Sequence, residues 1–138
     1  MRALQGKEEA LGPKHTSTLD TVNNLGILYK NQGKLAEAEQ MYVRALQGYE
    51  DALGLENVAR YTPALNTMSN LGYLFAAQGE LTEAKTMYSR ALAGFQALLG
   101  PSSNNCRRLK RALASLDPQQ GKLRAFLHPL LGKVSINI

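Results

Sequence analysis

Apolar residues recur three and four positions apart through most of this chain, and the pattern stops and restarts at Gly and Pro, as amphipathic helices do. Leu19, Val22, Leu25, Leu28 and Tyr29 form one stripe, and Leu65, Met68, Leu71, Leu74 and Phe75 form another. After each stripe comes a short polar turn, Asn31-Gln32-Gly33 or Gln78-Gly79. A longer helix follows. From about Lys34 to Leu53 its buried face is Leu35, Ala38, Met41, Tyr42, Ala45, Leu46, Tyr49 and Leu53, and Leu81 to Leu99 repeats it. Linkers this short oblige the two helices of each pair to run back along one another.

Helix ends are marked by the usual residues. Thr16 or Ser17 is expected to cap the first long helix, with Asp20 in its first turn; Thr62 caps the equivalent helix before Pro63, and Asn104 caps a third. Gly12-Pro13 and Gly100-Pro101 end the helices before them. Gly26 and Gly72 stand mid-helix, where each costs about 1 kcal/mol relative to alanine. Their recurrence predicts a neighbour too close for a β-carbon.

The stripes belong to a longer self-similarity. Leu19 to Gly54 and Leu65 to Gly100 match without a gap at 19 of 36 positions, 46 residues apart. Arg2 to Gly12 matches Arg44 to Gly54 at a spacing of 42. A period of this size predicts an all-α solenoid of helix–turn–helix units. The divisions are 1–12, the end of a truncated repeat helix; 16–54, a full unit; 62–100, a second; 104–117, a degraded third first-type helix; and 118–138, a non-repeat tail. In the third helix Arg107 and Lys110 replace the apolar residues of Leu19 and Val22. The tail is expected either to cap the open end, with a short helix at Lys122 to Leu127, or to hang free. A start inside a repeat suggests a piece of a longer array. The four-residue insertion before Thr62 is expected as a connection on one face.

These residues resemble the tetratricopeptide repeat. The signature reads Leu25-Gly26, Tyr29, Gly33, Ala38, Tyr42 and Ala45 in one unit, and Leu71-Gly72, Phe75, Gly79, Ala84, Tyr88 and Ala91 in the next. The 42-residue spacing and the Val22-Asn23-Asn24-Leu25 segment are similar to the kinesin light chain class of these repeats. Similar arrays follow the nucleotide-binding domain of fungal proteins resembling NB-ARC signalling ATPases, but no GxxxxGK[ST] phosphate loop occurs here.

The resemblance implies a non-catalytic module binding a peptide or protein segment in a concave groove lined by the first helices. Its groove positions are Asp20, Asn23, Asn24, Ile27, Lys30 and Asn31, then Asn66, Ser69, Asn70, Tyr73, Ala76 and Ala77. They lie off the apolar stripes and are mostly polar, and an Asn amide both donates to and accepts from a peptide backbone. Asn23 and Ile27 stand where relatives that grip a C-terminal carboxylate carry Lys and Asn, so that mode is not expected. Arg108 and Arg111 fall on groove positions of the third helix, where an acidic partner could dock. The alternative is a structural segment that self-associates through exposed repeat ends.

Charge sharpens this picture only at one end. Residues 1–100 carry nine Lys/Arg and ten Asp/Glu, whereas residues 101–138 carry seven Lys/Arg and only Asp117. The basic run at 107–111 lacks the interleaved aromatics of a single-strand platform, so nucleic acid is not the expected partner. No apolar run approaches the roughly 20 residues of a membrane span. The one cysteine, Cys106, rules out an internal disulfide and suits a cytoplasmic setting. Placed in a helix first turn beside Arg107 and Arg108 it could be a reactive thiol; the plainer expectation is an exposed or capping-region cysteine. His15 and His128 sit in no catalytic pattern, and HExxH, CxxC and GxSxG are all absent. Neither enzyme activity nor a cofactor is expected.

Overall fold

The computed structural model describes residues 2–12 and 15–116, which form six α-helices and no strand. A short α1 (Arg2–Leu11) comes first. α2 (Thr16–Asn31) and α3 (Leu35–Val58) make one hairpin, α4 (Thr62–Ala77) and α5 (Leu81–Leu99) a second, and α6 (Asn104–Ser115) follows. The cap expected from residues 118–138 lies outside the described residues. Each hairpin turn is closed by a pair of backbone bonds, Gly33 N–H to the Lys30 carbonyl (3.0 Å) with Lys34 N–H to the Tyr29 carbonyl (2.9 Å), and Gly79 N–H to the Ala76 carbonyl (3.1 Å) with Glu80 N–H to the Phe75 carbonyl (2.8 Å).

Inside each hairpin the two helices notch into one another. A β-carbon on Gly26 would lie 2.7 Å from Tyr42 Cε1, and one on Gly72 would lie 2.6 Å from Tyr88 Cδ1. The second helix returns the arrangement: Leu19 of α2 presses on Gly48 of α3, and Leu65 of α4 presses on Gly94 of α5. Tyr42, Leu19 and Leu65 are almost wholly buried as a result. Between hairpins, Ala38, Tyr42 and Leu46 share a core with Leu65, Met68, Leu71 and Leu74, and that core continues through Phe95 to Cys106 and Leu109 of α6. Successive second-type helices are also joined by ion pairs at equivalent positions, Glu8 with Arg44 and Glu50 with Arg90 (2.9 Å). Pairs this exposed contribute about 0–1 kcal/mol each, so they mark stacking register more than they supply stability.

Three caps sit one residue earlier than expected. His15, not Thr16 or Ser17, caps α2: its backbone is extended and its Nδ1 accepts from the Ser17 amide at 3.1 Å. Ser103, not Asn104, caps α6 by accepting from the Cys106 amide at 3.2 Å. Tyr61, not Thr62, precedes α4, with no side-chain cap bond. In each case the extended backbone that defines a cap falls before the hydroxyl or amide picked from sequence. Asp20 lies beyond the first turn of α2 and instead accepts a hydrogen bond from the Tyr49 hydroxyl.

The insertion before α4 is more than a connection. Gly54 breaks α3 with φ 80° and ψ 161°, a conformation open mainly to glycine. The helix then resumes and carries Val58, 1% exposed, into the core beside Tyr49 and Ala64. Tyr61 meets Tyr49 edge-on, ring centroids 5.2 Å apart. Leu28 also departs from expectation: it is 49% exposed, whereas its counterpart Leu74 is fully buried. Leu74 belongs to the core shared with Ala38, Tyr42 and Leu46 of α3, whereas Leu28 belongs to neither core cluster.

On α6, Cys106 and Leu109 face inward while Arg107 and Lys110 are exposed. The latter occupy the positions of Leu65 and Met68, and among the described residues no second helix follows to cover them. Charge on that open face is solvated rather than buried.

Two outcomes follow from this packing. Gly72→Ala should force the Tyr88 ring aside and lower stability by about 1–3 kcal/mol. Gly6→Ala, with nothing within 4 Å of the new β-carbon, should instead gain up to about 1 kcal/mol; thermal melts followed by circular dichroism compare them. Burial also pushes the Tyr42 phenol up to about 12, and burial with the Asp20 carboxylate pushes Tyr49 higher. The folded state therefore holds phenol protons that the unfolded chain releases near pH 10. Stability should stay level below pH 10 on this account and fall as pH rises through 10 towards 12. Tyrosinate absorbance and helicity should change together; early titration of all six tyrosines with helicity intact would contradict it.

A candidate groove across the first helices

α2, α4 and α6 stand at equivalent places in the stack and together wall a cavity of about 530 Å³. α2 contributes Asn23, Asn24 and Ile27; α4 contributes Asn66, Ser69, Asn70 and Tyr73. α6 closes one end with Asn105, Arg108, Leu109 and Ala112, and Tyr88 and Phe95 of α5 form the floor. Two furrows of about 600 and 570 Å³ run along the second-type helices instead. Arg44 and Arg90 line one each, and both are already engaged by glutamates. The groove instead brings uncommitted polar groups of both hairpins to one surface.

Asn24, Asn66 and Asn70 carry those groups. None of their side-chain amides makes a hydrogen bond among the described residues, and Asn24 and Asn66 are exposed. Ser69 is committed locally, its hydroxyl donating to the Leu65 carbonyl at 3.2 Å. Ile27 packs partly against the core. Tyr73 is 55% exposed, with Lys30 Nζ 5.6 Å from its ring centroid. That cation–π contact adds about 0.5–1 kcal/mol at an exposed site and gives the outer wall a fixed aromatic face.

Other residues picked from sequence have different duties here. Asn23 is 7% exposed, and its amide oxygen accepts from the Thr67 hydroxyl at 2.7 Å, tying α2 to α4 under the groove. Asp20 is engaged by Tyr49. Lys30 reaches the site through Tyr73, while Asn31, Ala76, Ala77 and Arg111 are not among the cavity-lining residues. Arg108 does line it, its Nη2 donating to Asn105 Oδ1 at 2.5 Å.

Tyr88, Phe95 and Asn105 escaped sequence reasoning. Tyr88 and Phe95 read as core, and their equivalents Tyr42 and Tyr49 are core indeed, fully buried. Asn105 could have been found from its spacing, three residues before Arg108 on one helix face. Burial, with the neighbouring Tyr73, pushes the Tyr88 phenol up. Cys106 is fully buried rather than exposed, its thiol donating to the Gly100 carbonyl at 3.4 Å. It repeats Thr18, whose hydroxyl donates to the Gly12 carbonyl at 2.8 Å. The thiol thus fills a structural place. Among the described residues no cluster of His, Cys, Asp or Glu could hold a metal ion.

Stacked helix–turn–helix hairpins whose first helices share a groove define a helical-repeat protein. Two profiles described as tetratricopeptide repeat match residues 18–59 and 63–125. The chain belongs to the tetratricopeptide repeat family, whose repeats are generally protein-interaction modules. The crystal structure of BtubC (BKLC) from P. vanneervenii has a similar fold, with a TM-score of 0.63 at 21% identity. That likeness covers 91% of this chain and 54% of the other, so the chain spans about half the length of BtubC. No curated protein sequence matches it.

The bond beneath the groove can be tested directly. Thr67→Val leaves the buried Asn23 amide oxygen without its donor and should cost about 1–3 kcal/mol, whereas Asn23→Ala leaves the Thr67 hydroxyl the Pro63 carbonyl at 2.9 Å and should cost less. The two together should cost clearly less than the sum. Urea unfolding of the four proteins measures the coupling, and strict additivity would remove it.

Proposed function

We propose that this chain is a non-catalytic interaction module that holds an extended segment of another protein across α2, α4 and α6. The observation carrying this reading is the set of uncommitted amides, Asn24, Asn66 and Asn70, lining one groove. Asn66 and Asn70 are one helical turn apart, about 6 Å along the axis. Alternate residues of an extended peptide are separated by about 6.6 Å, so both amides can meet backbone groups along the same peptide edge. Backbone pairing of this kind grips a segment without reading its side chains; Ile27, Tyr73 and the floor aromatics supply apolar contact. Ser69 then serves as spacing more than as a donor.

No helix among the described residues is long and apolar enough to cross a membrane, and the single thiol is buried and unpaired. Both suit a module working in the cytoplasm on protein partners. A second reading, self-association, is favoured by Leu98 and Leu99 at the end of α5 and Leu55 in the insertion, 42%, 54% and 71% exposed. Light scattering over a tenfold concentration range separates the two, since self-association requires the mass to rise.

The test of the groove is a printed array of capped decapeptides of varied sequence, probed with the full chain. Asn66→Ala with Asn70→Ala should weaken binding about tenfold across the array, as loss of two modest hydrogen bonds implies. Equal binding by the double variant, with helicity unchanged, would refute the groove reading.

A further inference from the structure

Arg108 is the one charged side chain among the residues lining the groove cavity. Its position is held from two sides. Leu109 and Cys106 anchor α6 in the core, and Asn105 takes one of its N–H groups at 2.5 Å. No ion pair among the described residues engages it. A guanidinium carries five N–H donors in a planar fork, so the Asn105 bond leaves an edge free for both oxygens of a carboxylate. The surroundings have the same sign: Arg107, Lys110 and Arg111 are exposed on α6, and the helix has no acidic residue.

We infer that the α6 end of the groove reads an acidic side chain, Asp or Glu, within the docked segment. Arg108 pairs with the carboxylate, and Asn105 is a positioning residue that presents the fork. This rests on the groove being the peptide site. The neutral remainder of the cavity means that one acid, at one register, is recognised rather than a run of negative charge. Asn23 and Ile27 at the α2 end bring no cation to grip a chain terminus, which favours an internal acid over a free C-terminal carboxylate. The flanking cations add a long-range field that speeds encounter and weakens with salt.

The same array decides it, with each capped decapeptide printed in Glu and Gln versions and again with a free C-terminus. The full chain should bind Glu members about tenfold more tightly than their Gln counterparts at low salt, with the ratio narrowing as salt is added. Arg108→Gln should abolish that ratio. Asn105→Ala should reduce the ratio with helicity unchanged, which a purely structural role would not do. Equal binding of Glu and Gln members, with the Asn66/Asn70 double variant still impaired, would overturn the acidic subsite and leave the groove standing. A Glu preference surviving Arg108→Gln would overturn the assignment to Arg108, and a preference for free C-termini over internal Glu would overturn the internal acid. Absence of binding to every member would overturn both the groove and its subsite.

Discussion

The reciprocal notch between paired helices is the constraint on which the rest of this structure depends. A tyrosine ring from the second helix sits where a β-carbon on Gly26 or Gly72 would be, and a leucine from the first helix sits against Gly48 or Gly94. Each hairpin is locked at two points along its length, so its helices can neither slide nor roll without a clash. Dense packing of this kind tolerates little change in volume. The energy comes from apolar burial, but the geometry comes from four missing side chains.

Because both hairpins are locked alike, their first helices emerge in register and their off-stripe positions form one surface. That surface is then divided between structure and display. Asn23 is spent on Thr67, joining α2 to α4, and Asp20 is spent on Tyr49. Asn24, Asn66 and Asn70 remain uncommitted above the Tyr88 and Phe95 floor. α6 completes the wall by replacing the apolar outer face of an internal helix with Arg107 and Lys110 and turning Arg108 into the groove. The same helix both ends the described stack and gives the groove its charge.

Three- and four-residue spacing, turn glycines and internal repetition were enough to determine the helices, their pairing and the solenoid class, because these signals are local and recur in each unit. The mid-helix glycines likewise announced close packing before any neighbour was known. What tertiary structure decided was how each side chain is spent. Asn23 and Asn24 are adjacent, identical in chemistry and both line the groove, yet one is buried and spent on Thr67 while the other is exposed and uncommitted. Val58 lies in an apparent connection but enters the core, and Cys106 reads as a terminal-turn thiol but fills the place of Thr18. Leu28 and Leu74 hold the same repeat position with opposite exposure. Sequence periodicity reports which face of a helix a residue occupies, but burial and partnership depend on what the neighbouring helix covers, and that is settled only when the units stack.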